Sequence, residues 1–399
     1  MFQKKLAAAA VMLMLGTSAH AACSFQNDVP LKIMTAAFDA WKVSTDAMAE
    51  CGNVTAELSQ EFQDKQAQGF AASPSLYHIG GVSNSSLVPL LDAGVIRALD
   101  DLVAKHGQGL AENQLIRVNG QIFAVAMMVN AQHLMYRDDI LNELAIPVPT
   151  TWDEVLAAAE KIKASGKVQY PLGGTWKTTW LEFMNLYFGY GGQVFDAGFN
   201  PTINNEAGVK ALEMMKAAMA YMDPEVLTAD STYVQQQFQQ GKIAMANLWS
   251  SRAGAMDNPD ESQVVGKVKL AAAPLAGDKP ASTLWWDGIV IAKNITDAEA
   301  EAAFRVALEG MDVEMANANP DAAIWIVPGY SPGALATGAA ATAEKGAVAF
   351  PASTQMGLMQ TALQNALPAF LTGQADAATT LKTAEEAYVS AAKEAGLLQ

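Results

Sequence analysis

The chain of 399 residues carries 41 acidic against 25 basic side chains, a formal net charge of -16, with 51% of its residues hydrophobic. The apolar share excludes a disordered chain, and the length exceeds one compact domain, so two lobes are the expectation. The acidic balance argues against binding nucleic acid or an anionic membrane surface, since a phosphate-binding face needs a Lys/Arg surplus.

The first segment reads as an export signal. Lys4 and Lys5 supply the positive start, residues 6–15 form an apolar stretch too short to span a bilayer, and Ala19-His20-Ala21 offers a small-residue cleavage site. Residues 1–21 are therefore expected to be removed by cleavage after Ala21, delivering the protein to the periplasm. Cys23 follows at once, which raises lipidation as an alternative fate. A lipid-anchor signal would want a branched aliphatic residue where His20 stands, and the second cysteine, Cys51, makes the count even. An even count in an exported chain favours a Cys23–Cys51 disulfide, whose 28-residue separation should stabilise by roughly 3 kcal/mol.

Along the mature chain, residues 29–34 read as a buried strand, 41–50 as a helix, 54–58 as a second strand, 61–70 as a helix and 76–79 as a third strand. This rhythm predicts a parallel, doubly wound sheet whose ligand crevice lies beyond the strand carboxyl ends. Residues 121–136 form a β-rich apolar run broken once, at Asn130. Thr151 and Glu154 form a capping box that opens a helix to about Lys163. A further helix is predicted over 206–221, strands over 243–248 and 289–291, and an Ala-rich, mostly solvated helical tail over 375–396.

Enzyme signatures are weak. His78, His106 and His133 stand far apart without metal-ligand spacing, so no metal or cofactor is expected. Residues 329–333 match G-x-S-x-G, but Pro332 follows the serine and has no N–H to contribute to an oxyanion hole, so a turn is the better reading. The positive signal is aromatic. Eight tryptophans occur, several beside small or hydrogen-bonding residues: Trp176 and Trp180 in GGTWKTTW, Trp249 in NLWSSR, and Trp285-Trp286 ahead of Asp287 in LWWDG. Flat indoles cover the C–H faces of a sugar while Asp, Asn, Arg and Ser bind its hydroxyls. Consecutive strand residues point to opposite faces, so only one of Trp285 and Trp286 should reach a cleft; Trp286 is taken as that one. Trp152, at a helix start, reads as core.

Residues 90–103, 118–141, 147–163, 238–249, 287–294 and 367–386 together resemble the sugar-binding proteins of ABC importers, the maltose-binding type of extracellular solute-binding protein. The resemblance implies an α/β, two-lobed periplasmic-binding-protein-like fold of type II topology, with discontinuous lobes joined by hinge crossings near Asn130, 285–288 and Tyr330. The N-terminal lobe would take residues 22–129 plus 287–330, and the C-terminal lobe 130–286 plus 331–399. Carried over position by position, it implies ligand contacts from Phe38, Asp39 and Trp41 after the first strand and Ser83 and Asn84 after the third. Asn130 would contribute at the hinge, Trp176 and less directly Trp180 from the GGTW stretch, and Trp249 and Arg252 from the second lobe, with Trp286, Asp287 and Tyr330 at the later crossings. Ala126 stands where proline is usual, and Trp-Trp-Asp where small residues are common. The implied function is capture of a small carbohydrate by a monomer, without reaction, for delivery to an ABC transporter permease. Two alternatives remain: an aromatic box for a zwitterionic osmolyte, and a secreted glycoside hydrolase with two converging carboxylates.

Overall fold

The computed structural model describes residues 23–399, so the expected signal segment and its cleavage after Ala21 lie outside the described residues. Among the described residues, eleven strands occur in chain order: β1 Leu31–Thr35, β2 Val54–Leu58, β3 Ile79–Ser83, β4 Leu115–Val118, β5 Gln121–Arg137, β6 Tyr170–Gly173, β7 Ile243–Trp249, β8 Val268–Ala271, β9 Thr283–Ile291, β10 Ile324–Trp325 and β11 Val348–Ala349. Hydrogen bonding runs in the order β2-β1-β3-β9-β5-β7-β6. The expected parallel winding holds for β1 with β2 and β3 and for β6 with β7. Helices Asp39–Ala49 and Phe62–Ala71 make the crossovers of the first set. β9 departs from it and lies antiparallel between β3 and β5.

β5 explains how one chain builds two halves. Its residues up to Ala131 pair with β9, and Gln132–Tyr136 then pair with β7. A strand covered almost throughout reads as a nearly unbroken apolar run, because water touches neither face. Two main cores flank this crossing. One gathers Leu31, Trp41, Ile79, Val125, Ile289, Phe304 and Trp325. The other gathers Leu134, Trp152, Phe183, Leu212, Met245, Trp285, Leu363 and Tyr388.

The third strand begins at Ile79, where the sequence suggested it would end, and Leu76 is 57% exposed. Gly80 and Gly81 set this register: a Cβ on Gly81 would stand 2.7 Å from the Trp41 ring, so only glycine admits the indole there. The final helix, Ala377–Glu394, is less solvated than its alanine content suggested, because Leu381, Ala384, Tyr388 and Ala392 are buried. The capping box at Thr151 forms as read, with Glu154 N–H donating to Thr151 Oγ1 at 3.2 Å and Thr151 N–H returning to Glu154 Oε2 at 3.3 Å. Cys23 and Cys51 are disulfide-bonded, so the thiol that lipidation would need is occupied. No described helix is long and apolar enough to cross a membrane.

Candidate ligand-binding site

The carboxyl ends of the parallel strands converge on the crossing. β1 runs out toward Phe38 and Asp39, β3 ends at Ser83, β6 leads into Trp176 and Trp180, and β7 ends at Trp249. β9 brings Asp287 into register with Ser83.

An aromatic cluster forms where these ends meet. Trp249 packs edge-on against Trp285 at 5.7 Å and 89°, and Phe350 stacks on Trp285 at 4.4 Å and 21°. Trp180 closes the group, 6.4 Å from Trp285 and 5.6 Å from Phe350. Trp285 is nearly buried, while Trp180 and Trp249 keep part of their rings free. A cavity of about 470 Å³ opens beside Trp180, lined also by Gln63, Ser85 and Asp92 from one half and Thr354 and Gln364 from the other. Asn84 ties the β3 loop to the cluster, donating from Nδ2 to the Phe350 carbonyl at 3.2 Å.

A polar group lies on the other side of Trp249. Asn130 donates to Ser251 Oγ at 3.1 Å and accepts from Ser250 Oγ at 2.7 Å and the Ser251 N–H at 3.3 Å, which fixes the turn after β7. Arg252, on the next residue, lies over the Phe38 ring at 5.8 Å and donates to Gln235 Oε1 at 3.1 Å. Desolvation lowers the Arg252 pKa, with the Asp39 and Asp230 carboxylates opposing it. Asp287 has burial as the sole cause of its shift and is pushed up to about 7. Burial alone raises it, with no cation beside it among the described residues, which makes Asp287 a candidate for a functional role.

Of the residues singled out from the sequence, Phe38, Asp39 and Arg252 come together, Asn130 bonds the turn that follows Trp249, and Trp180 joins the cluster. Ser83 and Asp287 share one rung of the sheet. Others fall elsewhere. Trp41 is 1% exposed and Trp176 is 2% exposed, in different cores, so neither ring is open to solute in this structure. Trp286 faces away from Trp285 and lines, with Phe123, Ile116 and Arg117, a cavity that adjoins the one beside Trp180 through Val88, Asp92, Ser353 and Thr354. Strand alternation decides this, since Trp285 and Asp287 share one face and Trp286 takes the other. Tyr330 latches its own loop, its hydroxyl donating to the Pro320 carbonyl at 3.1 Å. The sequence reading missed Trp285, Phe350, Ser250, Ser251 and Gln235. Ser250 and Ser251 were visible in NLWSSR, whereas Phe350 lies 65 positions from Trp285 with no motif to link them.

Residues 53–350 match the model of the family described as bacterial extracellular solute-binding protein. A probable ABC transporter-binding protein of Deinococcus radiodurans is 26% identical over 275 residues, covering 62% of this chain and 63% of that protein. A probable amino-acid ABC transporter periplasmic-binding protein of Sinorhizobium fredii is 30% identical over 131 residues, covering 32% of this chain and 30% of that protein. The chain thus aligns with less than two thirds of the length of either relative. The solved structure of a solute-binding protein of Agrobacterium radiobacter K84 in complex with ribitol superposes with a TM-score of 0.79 at 23% identity, covering 92% of this chain and 99% of that one.

Proposed function

We propose, from the premise that this chain belongs to the bacterial extracellular solute-binding protein family, that it captures a small carbohydrate or sugar alcohol between its two halves and delivers it to an ABC transporter permease. The observation that carries the reading is the aromatic cluster of Trp180, Trp249, Trp285 and Phe350 at the strand crossing, with half-buried indoles beside hydrogen-bonding groups. Indole faces suit the C–H faces of a polyol, and Asp287, Asp39 and Arg252 suit its hydroxyls. The ribitol carried by the structural relative supports the same ligand class.

The cycle would be capture and release without bond chemistry. Solute docks on Trp180 and Trp249, the halves close about β5 and β9 near Asn130 and 285–288, and closure presents a defined face to the permease. The lobes in this scheme take residues 22–129 plus 287–330 and 130–286 plus 331–399. Stacking on two indoles with several charge-assisted hydrogen bonds supports roughly 8–12 kcal/mol, a nM to µM affinity.

A second reading, a zwitterionic amino acid, is favoured by one specific observation. Arg252 and the Asp39 and Asp287 carboxyls offer opposite charges, and the Sinorhizobium fredii relative is described as an amino-acid binding protein. Calorimetry of unfolded-and-refolded, ligand-free protein against ribitol, mannitol, maltose, glucose and glutamate separates the readings. Micromolar or tighter binding of a polyol or sugar supports the first, binding of glutamate alone replaces it with the second, and silence across the panel removes both. Product from incubated oligosaccharides would instead make the protein a hydrolase.

A further inference from the structure

Glu182, on the helix Thr179–Gly189, is 6% exposed and has no basic partner among the described residues. Its Oε1 accepts from Thr175 Oγ1 at 2.6 Å and from Gln132 Nε2 at 2.8 Å. Burial raises its pKa, and the two hydrogen bonds only partly oppose that shift. A buried carboxyl paired with nothing but neutral donors is costly to keep, so its place in the hydrogen-bond pattern needs a reason.

The pattern continues outward from it. With Nε2 turned to Glu182, the Gln132 amide leaves Oε1 to accept from Asn185 Nδ2 at 3.0 Å and Asn247 Nδ2 at 3.3 Å. Asn185 Oδ1 then accepts from Thr283 Oγ1 at 2.9 Å, and Thr283 Oγ1 accepts from the Trp285 indole N–H at 2.8 Å. Every amide in this run has one orientation that pairs donor with acceptor. The Glu182 oxygen accepting at the inner end selects it together with the Ala281 carbonyl, which accepts from Asn247 Nδ2 at 3.1 Å. Reversing Gln132 would set its N–H₂ against those of Asn185 and Asn247. At the outer end stands the indole against which Trp249, Trp180 and Phe350 pack.

We propose that Glu182 is a positioning residue which, through Gln132, Asn185 and Thr283, fixes the Trp285 indole and with it the aromatic wall of the site. The importance of that wall for solute rests on the function proposed above. The geometry of the run does not.

The test follows the Trp285 indole ¹H–¹⁵N resonance, assigned by its loss in Trp285→Phe, in the unliganded full chain. Glu182→Leu removes the acceptor and should shift or broaden the resonance, whereas Glu182→Gln keeps an acceptor oxygen and should restore it. Thr283→Val, which cuts the run next to the indole, should reproduce the Leu effect and serves if Glu182→Leu does not fold. Affinity for whichever panel solute the wild type binds should fall about tenfold in Thr283→Val. A Thr283→Val protein with an unmoved indole resonance, or a Glu182→Gln protein as perturbed as the Leu variant, overturns the proposal. A wild type that binds nothing in the panel removes the functional reading and leaves the indole measurement to decide this one.

Discussion

Asn130 and Trp285 are register partners on adjacent antiparallel strands, and their side chains grip consecutive residues of one segment. Asn130 holds Ser250 and Ser251 by three hydrogen bonds, while Trp285 meets Trp249 edge to face. Facing partners leave an antiparallel pair on the same side, so the crossing strands act together on the turn that ends β7. The site's second-half contacts are thereby tied to the strands that join the halves.

Replacing Asn130 by Ala should free that turn. Ser250 Oγ and the Ser251 N–H lose their buried partner, at a cost of about 1–3 kcal/mol. Urea unfolding should show a lower midpoint with an unchanged m-value. A variant as stable as wild type would show that water replaces the amide.

The two tryptophans of the Trp-Trp-Asp stretch and Trp249 should separate cleanly by calorimetry. Trp249→Ala removes a half-buried indole from the cluster and should weaken solute binding by roughly 1–3 kcal/mol. Trp286→Ala, on the opposite face of β9 from Trp285, should weaken binding less than Trp249→Ala. Trp285→Ala should lower stability as well, by roughly 3–5 kcal/mol, because it leaves a cavity among Phe350, Trp180 and Trp249.

Asp287 and His133 pull stability against pH in opposite directions. Asp287 keeps its proton to about pH 7, against about 4 in the unfolded chain, so between these values the native state binds more protons. Its contribution is present below pH 4 and lost as pH rises toward 7. His133 is buried and pushed down to about 4, so its contribution is present above about 6.5 and lost as pH falls. Asp287→Asn should therefore gain stability at pH 8 and lose it more steeply on acidification, by at most about 1.4 kcal/mol per pH unit from His133. A pH profile parallel to wild type would show that Asp287 does not titrate as its burial implies.

Gly338 lies in the helix Thr337–Glu344 directly against that imidazole. Alanine normally stabilises a helix interior by about 1 kcal/mol over glycine. Here its Cβ would stand 2.5 Å from His133 Nδ1, so the clash should win and Gly338→Ala should destabilise by about 1–3 kcal/mol. Adding His133→Ala should recover part of the loss in a double-mutant cycle, and strict additivity would refute the contact.

The cysteine bridge gives a simpler expectation. Reduction of Cys23–Cys51, which closes a separation of 28 residues, should lower stability by about 3 kcal/mol. Thermal unfolding with and without a thiol reductant measures it.

Much of this protein is written locally. The Thr151–Glu154 capping box, the strand at 54–58 and the apolar run that becomes β5 all follow from neighbouring residues and their periodicity. Each depends on side chains a few positions apart, so the amino-acid order alone decides them. The polar break at Asn130 even marked where β5 changes partners. The composition of the binding wall is different in kind. That Trp41 and Trp176 fill cores, that Trp285 rather than Trp286 joins Trp249, and that Phe350 completes the group depend on strand register and on contacts between residues 36 to 170 positions apart. An indole has the same chemistry in a core and in a cleft, and only the packing of distant segments determines which face of a strand it leaves and what it meets there.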